Sequence, residues 1–180
     1  FYGGDGKDNL SVYHAIARTV LSTGNGRVLS FHSDVKNSVE SFVDQMKFRA
    51  AFRHVLEEEF PEKQIMYTTG LDEIKIEGIS ADTKNRWAVL DIFDQTPNTT
   101  KESATNSVFV LASCRTIGEG VDTKRANGVV FVDPKASYID IIQNIGRCCR
   151  YPRDGTKIPP AFVLIPCPIS KKKVSESDGS

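Results

Sequence analysis

The feature that most constrains this chain is an alternation: short, almost wholly apolar runs take turns with longer segments whose apolar residues recur every three or four positions. Apolar runs at Arg27 to His32, Ser107 to Ser113, Gly128 to Val132 and Ala161 to Ile165 read as strands buried on both faces. Gln64 to Thr68 reads as a further short strand and Glu73 to Ile79 as a weaker one. Between them the spacing predicts a helix from Leu10 to Leu21, stopped by Gly24. A long, mostly helical stretch follows Asp34, from Lys36 to Phe60, ended by Pro61. Two more helices are predicted, Asn85 to Phe93 and Ser137 to about Cys148. Strands buried on both faces need helices above and below, so the expected class is α/β with a mostly parallel central sheet and ligands at the strands' carboxyl ends.

At 180 residues the chain has the size of one domain. Lys and Arg number 23, as do Asp and Glu, so any cationic site is local and whole-chain charge argues for neither nucleic acid nor membrane. The longest apolar runs fall far short of the roughly 20 residues that cross a bilayer. Cys114, Cys148, Cys149 and Cys167 form no C-x-x-C pair, and the three histidines have no ligand-like spacing, so no metal site is expected. Reduced thiols and the lack of a signal-peptide pattern point to an intracellular protein, cytoplasmic or nuclear. The expected organisation is a linker over 1–7, a domain over 8–168 and a disordered or linker tail over 169–180.

Two segments carry chemistry. On a helical wheel of about 100° per residue, Gln143, Gly146, Arg147 and Arg150 share one arc, while Tyr138, Ile141, Ile142, Ile145, Cys148 and Cys149 fall opposite. One face is expected to be core. The other places two arginines beside a glycine that admits close approach, which suits a bidentate grasp of phosphate oxygens. A solvated arginine face with an incidental glycine is the bland alternative. In the second segment a strand opens after Ala112 into a loop, where Ser113 and Thr116 offer hydroxyls, Arg115 a cation, Gly118 and Gly120 close backbone approach and Asp122 an acceptor. Alone, this loop reads equally well as a plain turn with a capping aspartate.

Together with Arg27 to Ser33, these segments resemble the fourth, fifth and sixth motifs of superfamily-two helicases, in the same order and at similar spacing. Glu119-Gly120-Val121-Asp122, Val132-Asp133-Pro134-Lys135-Ala136-Ser137 and Gln143 to Arg150 look most like motors of restriction-type enzymes and of helicases with an appended helicase-associated domain. The resemblance implies a RecA-like three-layer sandwich of the P-loop NTPase type. It implies that Arg147 and Arg150 are catalytic, Arg150 being the arginine finger, and that Gln143, Gly146, Gly120 and Asp122 border ATP. Ser33, Ser113, Arg115 and Thr116 would meet the nucleic-acid backbone. Ser113-Cys114, where a threonine is common, and Cys148-Cys149 between the arginines depart from the family pattern.

No G-x-x-x-x-G-K-[ST] loop and no D-E-x-[DH] motif occurs in these residues, and Gly3 to Lys7 only superficially resembles a phosphate loop. Mg2+ with ATP would therefore be held mainly by a first RecA-like domain outside this sequence. The implied partners are that domain and nucleic acid, DNA ahead of RNA. A restriction-type motor and a non-catalytic RecA-like scaffold are the alternative readings.

Overall fold

The computed structural model describes residues 9–67, 74–95, 107–114, 123, 126–133, 137–147 and 161–166. Its elements run α1 (Asn9–Thr23), β1 (Arg27–Phe31), a π turn (Val35–Glu40), α2 (Gln45–Glu59), a short 3₁₀ turn (Pro61–Lys63), α3 (Gln64–Tyr67), β2 (Ile74–Ile79), α4 (Arg86–Gln95), β3 (Val108–Ser113), β4 (Gly128–Phe131), α5 (Tyr138–Gly146) and β5 (Phe162–Leu164). The five strands form one sheet in the order β2-β3-β1-β4-β5. Each pairing is parallel, with Val28 opposite Val110 on one side and Gly128 on the other.

Alternate residues of each strand feed separate cores. Val28, Ile74, Ile76, Val108, Val110, Ala112 and Val130 pack beneath α1 and α2, against Ile16, Val20, Phe48, Phe52 and Val55. Leu29, Phe31, Phe109, Leu111, Val129 and Phe131 face the other way, toward Leu90 and Phe93 of α4 and Ile141 and Ile145 of α5. This is the expected three-layer α/β/α sandwich, with the parallel sheet buried because helices cover both faces.

Local chemistry explains most element boundaries. Gly24 adopts φ 77° and its N–H returns to the Val20 carbonyl at 2.8 Å, closing α1 where a side chain would be strained. The expected long helix over Lys36 to Phe60 is instead divided. Asp34 caps the π turn by accepting from the Asn37 N–H, and Asp44 caps α2 by accepting from Lys47, so the aspartate carboxylates start two separate elements. The strand expected over Gln64 to Thr68 is also corrected: Gln64–Tyr67 is a helical turn that continues the one started by Pro61. Its Tyr67 ring lies 5.3 Å from Phe52, and this packing outweighs a weak extended preference. The strand expected over Glu73 to Ile79 is present as β2.

Two side chains fasten the central β1–β4 pair. At the amino end Asn127 accepts from the Arg27 N–H at 2.9 Å through Oδ1, while its own N–H donates to the Arg27 carbonyl. At the carboxyl end Asp133 plays the matching part, accepting from the Ser33 N–H at 2.9 Å. Gly26, entering β1, has no room for a side chain: a Cβ there would lie 2.4 Å from the Ser107 carbonyl oxygen. Gly26→Ala is therefore expected to lower stability by about 1–3 kcal/mol in urea unfolding at unchanged slope. A loss below about 0.5 kcal/mol would show that the entry to β1 slides freely.

Candidate functional site

The element after β1, the π turn leading into α2, lies on one face of the sheet, and α5, after β4, lies on the other. Connections that leave adjacent parallel strands on opposite faces open a crevice beyond their carboxyl ends, where α/β sheets bind ligands. Ser33 and Asp133 stand there. The Ser33 N–H and hydroxyl both donate to Asp133 Oδ2, at 2.9 and 3.0 Å, and the Ser38 hydroxyl of the π turn donates to the same oxygen. Behind Ser38 lies His32, fully buried, with Nδ1 2.7 Å from the Ser38 Oγ and Nε2 3.1 Å from the Ser30 Oγ. Ser38 has one hydroxyl proton and gives it to Asp133, so Nδ1 must carry hydrogen and donate to Ser38. In the neutral ring Nε2 then accepts from Ser30.

This Ser30, His32, Ser38 and Asp133 network carries no role in the sequence reading. Its signal was there: polar residues directly after two apolar strand runs, Ser30-Phe31-His32-Ser33 and Val132-Asp133, have no place in a core unless they satisfy one another.

Of the sequence candidates, Ser33 is exposed at the crevice, but both of its donors already serve Asp133. Ser113 ends β3 and is fully buried, its carbonyl accepting from the His32 N–H at 2.9 Å. Its hydroxyl thus lies under the surface. Gln143 and Gly146 are exposed on α5, and Arg147, half-buried, follows the last turn. Among the described residues a Cβ on Gly146 would meet nothing within 4 Å, so packing against them does not demand glycine there. Burial lowers the Arg147 guanidinium from its ordinary range, yet so basic a group stays charged at neutral pH. Loss of water also strengthens its attraction to an anion. Arg115, Thr116, Gly120, Asp122 and Arg150 lie outside the described residues, as do Cys148 and Cys149.

The wheel's apolar arc is corrected by the structure. Ile141 and Ile145 reach the core, but Tyr138 is 75% exposed and Ile142 52%, joined by Ile139 at 67%. Asn144 is buried in their stead. A helix resting on a sheet buries only a narrow stripe, and a nine-residue helix whose apolar residues cover more than that stripe leaves the remainder outside.

Among the described residues no group of three or more His, Cys, Asp and Glu side chains could hold a metal ion. Among the same residues no helix is long and apolar enough to cross a membrane.

Comparison with known proteins follows the same line. Residues 11–152 match the family model described as the helicase conserved C-terminal domain. No curated protein matches the sequence. Among solved structures, the chain is similar to the ATP-dependent Type ISP restriction-modification enzyme LlaBIII bound to DNA, at 16% identity and TM-score 0.53, covering 92% of this chain and 10% of that one. It is also similar to the DUF1998 helicase MrfA bound to DNA and AMPPNP, at 12% identity and TM-score 0.50, covering 88% and 18% respectively. At such identities the likeness is one of fold. The chain spans less than a fifth of the length of either protein.

Proposed function

This chain belongs to the family of helicase conserved C-terminal domains, and from that premise we propose that it is the second motor domain of an ATP-dependent nucleic-acid helicase or translocase. In this reading ATP is hydrolysed in a cleft between this domain and a first RecA-like domain. The supporting observation is α5, which presents exposed Gln143 and Gly146 beside a half-buried, charged Arg147, with a glycine that no neighbour among the described residues requires. That face fits a phosphate chain: Arg147 and, one turn on, Arg150 would stabilise charge on the transferring γ-phosphoryl. Gly120 and Asp122 would border the same nucleotide. Mg2+ would be held mainly by carboxylates of the first domain.

Nucleic acid would cross the sheet's carboxyl edge, contacted by Arg115, Thr116 and Ser33, whose hydroxyl would turn from Asp133 to a phosphate oxygen. Ser113 would support that edge from beneath, since its side chain is buried. Such contacts reach phosphates and not base edges, so little sequence preference is expected. DNA is the favoured partner, and both solved structures just described are bound to DNA. The chemistry is intracellular, since ATP and nucleic acid are both substrates of that compartment.

The test compares two proteins. The full-length protein is expected to hydrolyse ATP faster when DNA or RNA is added, and the purified 180-residue chain to show no such turnover. Clear turnover by the short chain would overturn the two-domain site. A full-length protein that ignores both nucleic acids would overturn the motor and favour a scaffold.

A further inference from the structure

Three donors from two segments converge on one carboxylate oxygen: the Ser33 N–H, the Ser33 hydroxyl and the Ser38 hydroxyl all reach Asp133 Oδ2. Asp133 is only 6% exposed, so its charge is compensated by these bonds in place of water. The consequence is mechanical. The end of β1, the π turn and the end of β4 cannot shift independently without leaving that charge short of a donor.

Each of the three leads to a different part of the motor. Ser33 lies at the edge proposed for nucleic acid. The π turn begins α2, on one face of the sheet, and Asp133 directly precedes the segment that ends in Ser137, whose Oγ caps α5 by accepting from the Asp140 N–H at 3.2 Å. α5 carries Gln143 and Gly146 and leads directly into Arg147. The π turn is itself suited to switching. Its wide register, with the Val39 N–H returning to the Asp34 carbonyl at 3.1 Å, is rarer than the α-helical one next to it, and such turns occur often at functional sites. A change between the two registers would rotate Ser38 away from Asp133.

We infer that Ser38 and Asp133, backed by His32, are positioning residues that carry nucleic-acid engagement at Ser33 to the nucleotide-facing helix α5. The inference rests on the motor reading. Asp133 touches neither substrate; it acts by holding Ser33 and the start of α5 in one arrangement. His32 keeps Ser38 oriented, since the Nδ1 hydrogen occupies the Ser38 lone pair and leaves its proton for Asp133.

The experiment measures, in the full-length protein, the factor by which mixed-sequence DNA raises ATP turnover. Ser38→Ala is expected to lower that factor about fivefold or more, a usual size for coupling between sites, while turnover without DNA stays within about twofold. Asp133→Asn, which keeps an acceptor oxygen but loses the charge, is expected to do the same, and the double variant to add little to either. A parallel fall in turnover with and without DNA would make the network merely structural and overturn the inference. So would full stimulation in both single variants. A wild-type protein with no stimulation at all would overturn the motor reading itself, and that result is visible before any variant is made.

Discussion

Arg150→Ala in the full-length protein is expected to lower ATP turnover by about 10³-fold or more, the range for a lost arginine finger, and to leave nucleic-acid affinity without ATP nearly unchanged. At the end of α5, Gln143 and Gly146 are exposed and Arg147, just past the helix, is half-buried. On the helical wheel Arg150 shares the arc of Gln143, Gly146 and Arg147, so its guanidinium would join that of Arg147 at the phosphates. In that role its planar fork would matter more than its charge. Arg150→Lys is therefore expected to recover little, because an ammonium cannot grasp two phosphate oxygens in one plane. Single-turnover hydrolysis alongside thermal unfolding separates the possibilities. Near-normal hydrolysis with a fall in stability would make Arg150 an ion-pair residue of the fold.

The second large effect is on stability. Phe52 is fully buried in α2, its ring 6.4 Å from Phe48 and 5.3 Å from Tyr67, in the layer that joins α1 and α2 to the sheet. Phe52→Ala removes a whole ring from that layer, and Phe48, held on its other side by the Tyr13 ring at 5.6 Å, cannot freely collapse into the space. A loss of about 3–5 kcal/mol is expected in denaturant unfolding of the 180-residue chain. That is a large share of the roughly 5–15 kcal/mol that keeps a domain folded. Met46, on the same helix but 75% exposed, is the control: Met46→Ala should change stability by no more than about 0.5 kcal/mol. Equal, small effects at both sites would mean that α2 does not pack through Phe52.

What the sequence disclosed follows from which signals are local. The strands β1, β3, β4 and β5 were legible because each is an apolar run bounded by glycine or polar residues, and the helices α1 and α5 because their periodicity is strong. The break between the π turn and α2 was not, because no glycine or proline marks it; Asp44 does so only through the bond its carboxylate makes to the Lys47 N–H. Gln64 to Tyr67 has no periodicity long enough to separate strand from helix, and contact with Phe52 decides. At the site, the polar arc of Gln143, Gly146 and Arg147 could be drawn on a wheel, since it depends on one helix alone. The His32, Ser38 and Asp133 network could not, because it joins residues whose separation in the chain only the parallel pairing of β1 and β4 removes. The exposure of Tyr138 and Ile142 was hidden for the same reason: periodicity tells which residues share a side, not how much of that side a neighbour covers.

The place of β1 in the middle of the sheet has a consequence for how the chain comes to be folded. Of the five described strands β1 is made first, yet its neighbours β3 and β4 come late, and the Arg27 to Asn127 contact spans 100 positions. Closing such long loops before any pairing rewards them makes the search slow. Until β4 has emerged, Val28, Leu29 and Phe31 form a strand with an open edge, the kind of surface that pairs with the wrong chain. For a chain of this topology the exposure of that edge lasts until β4 is available to cover it.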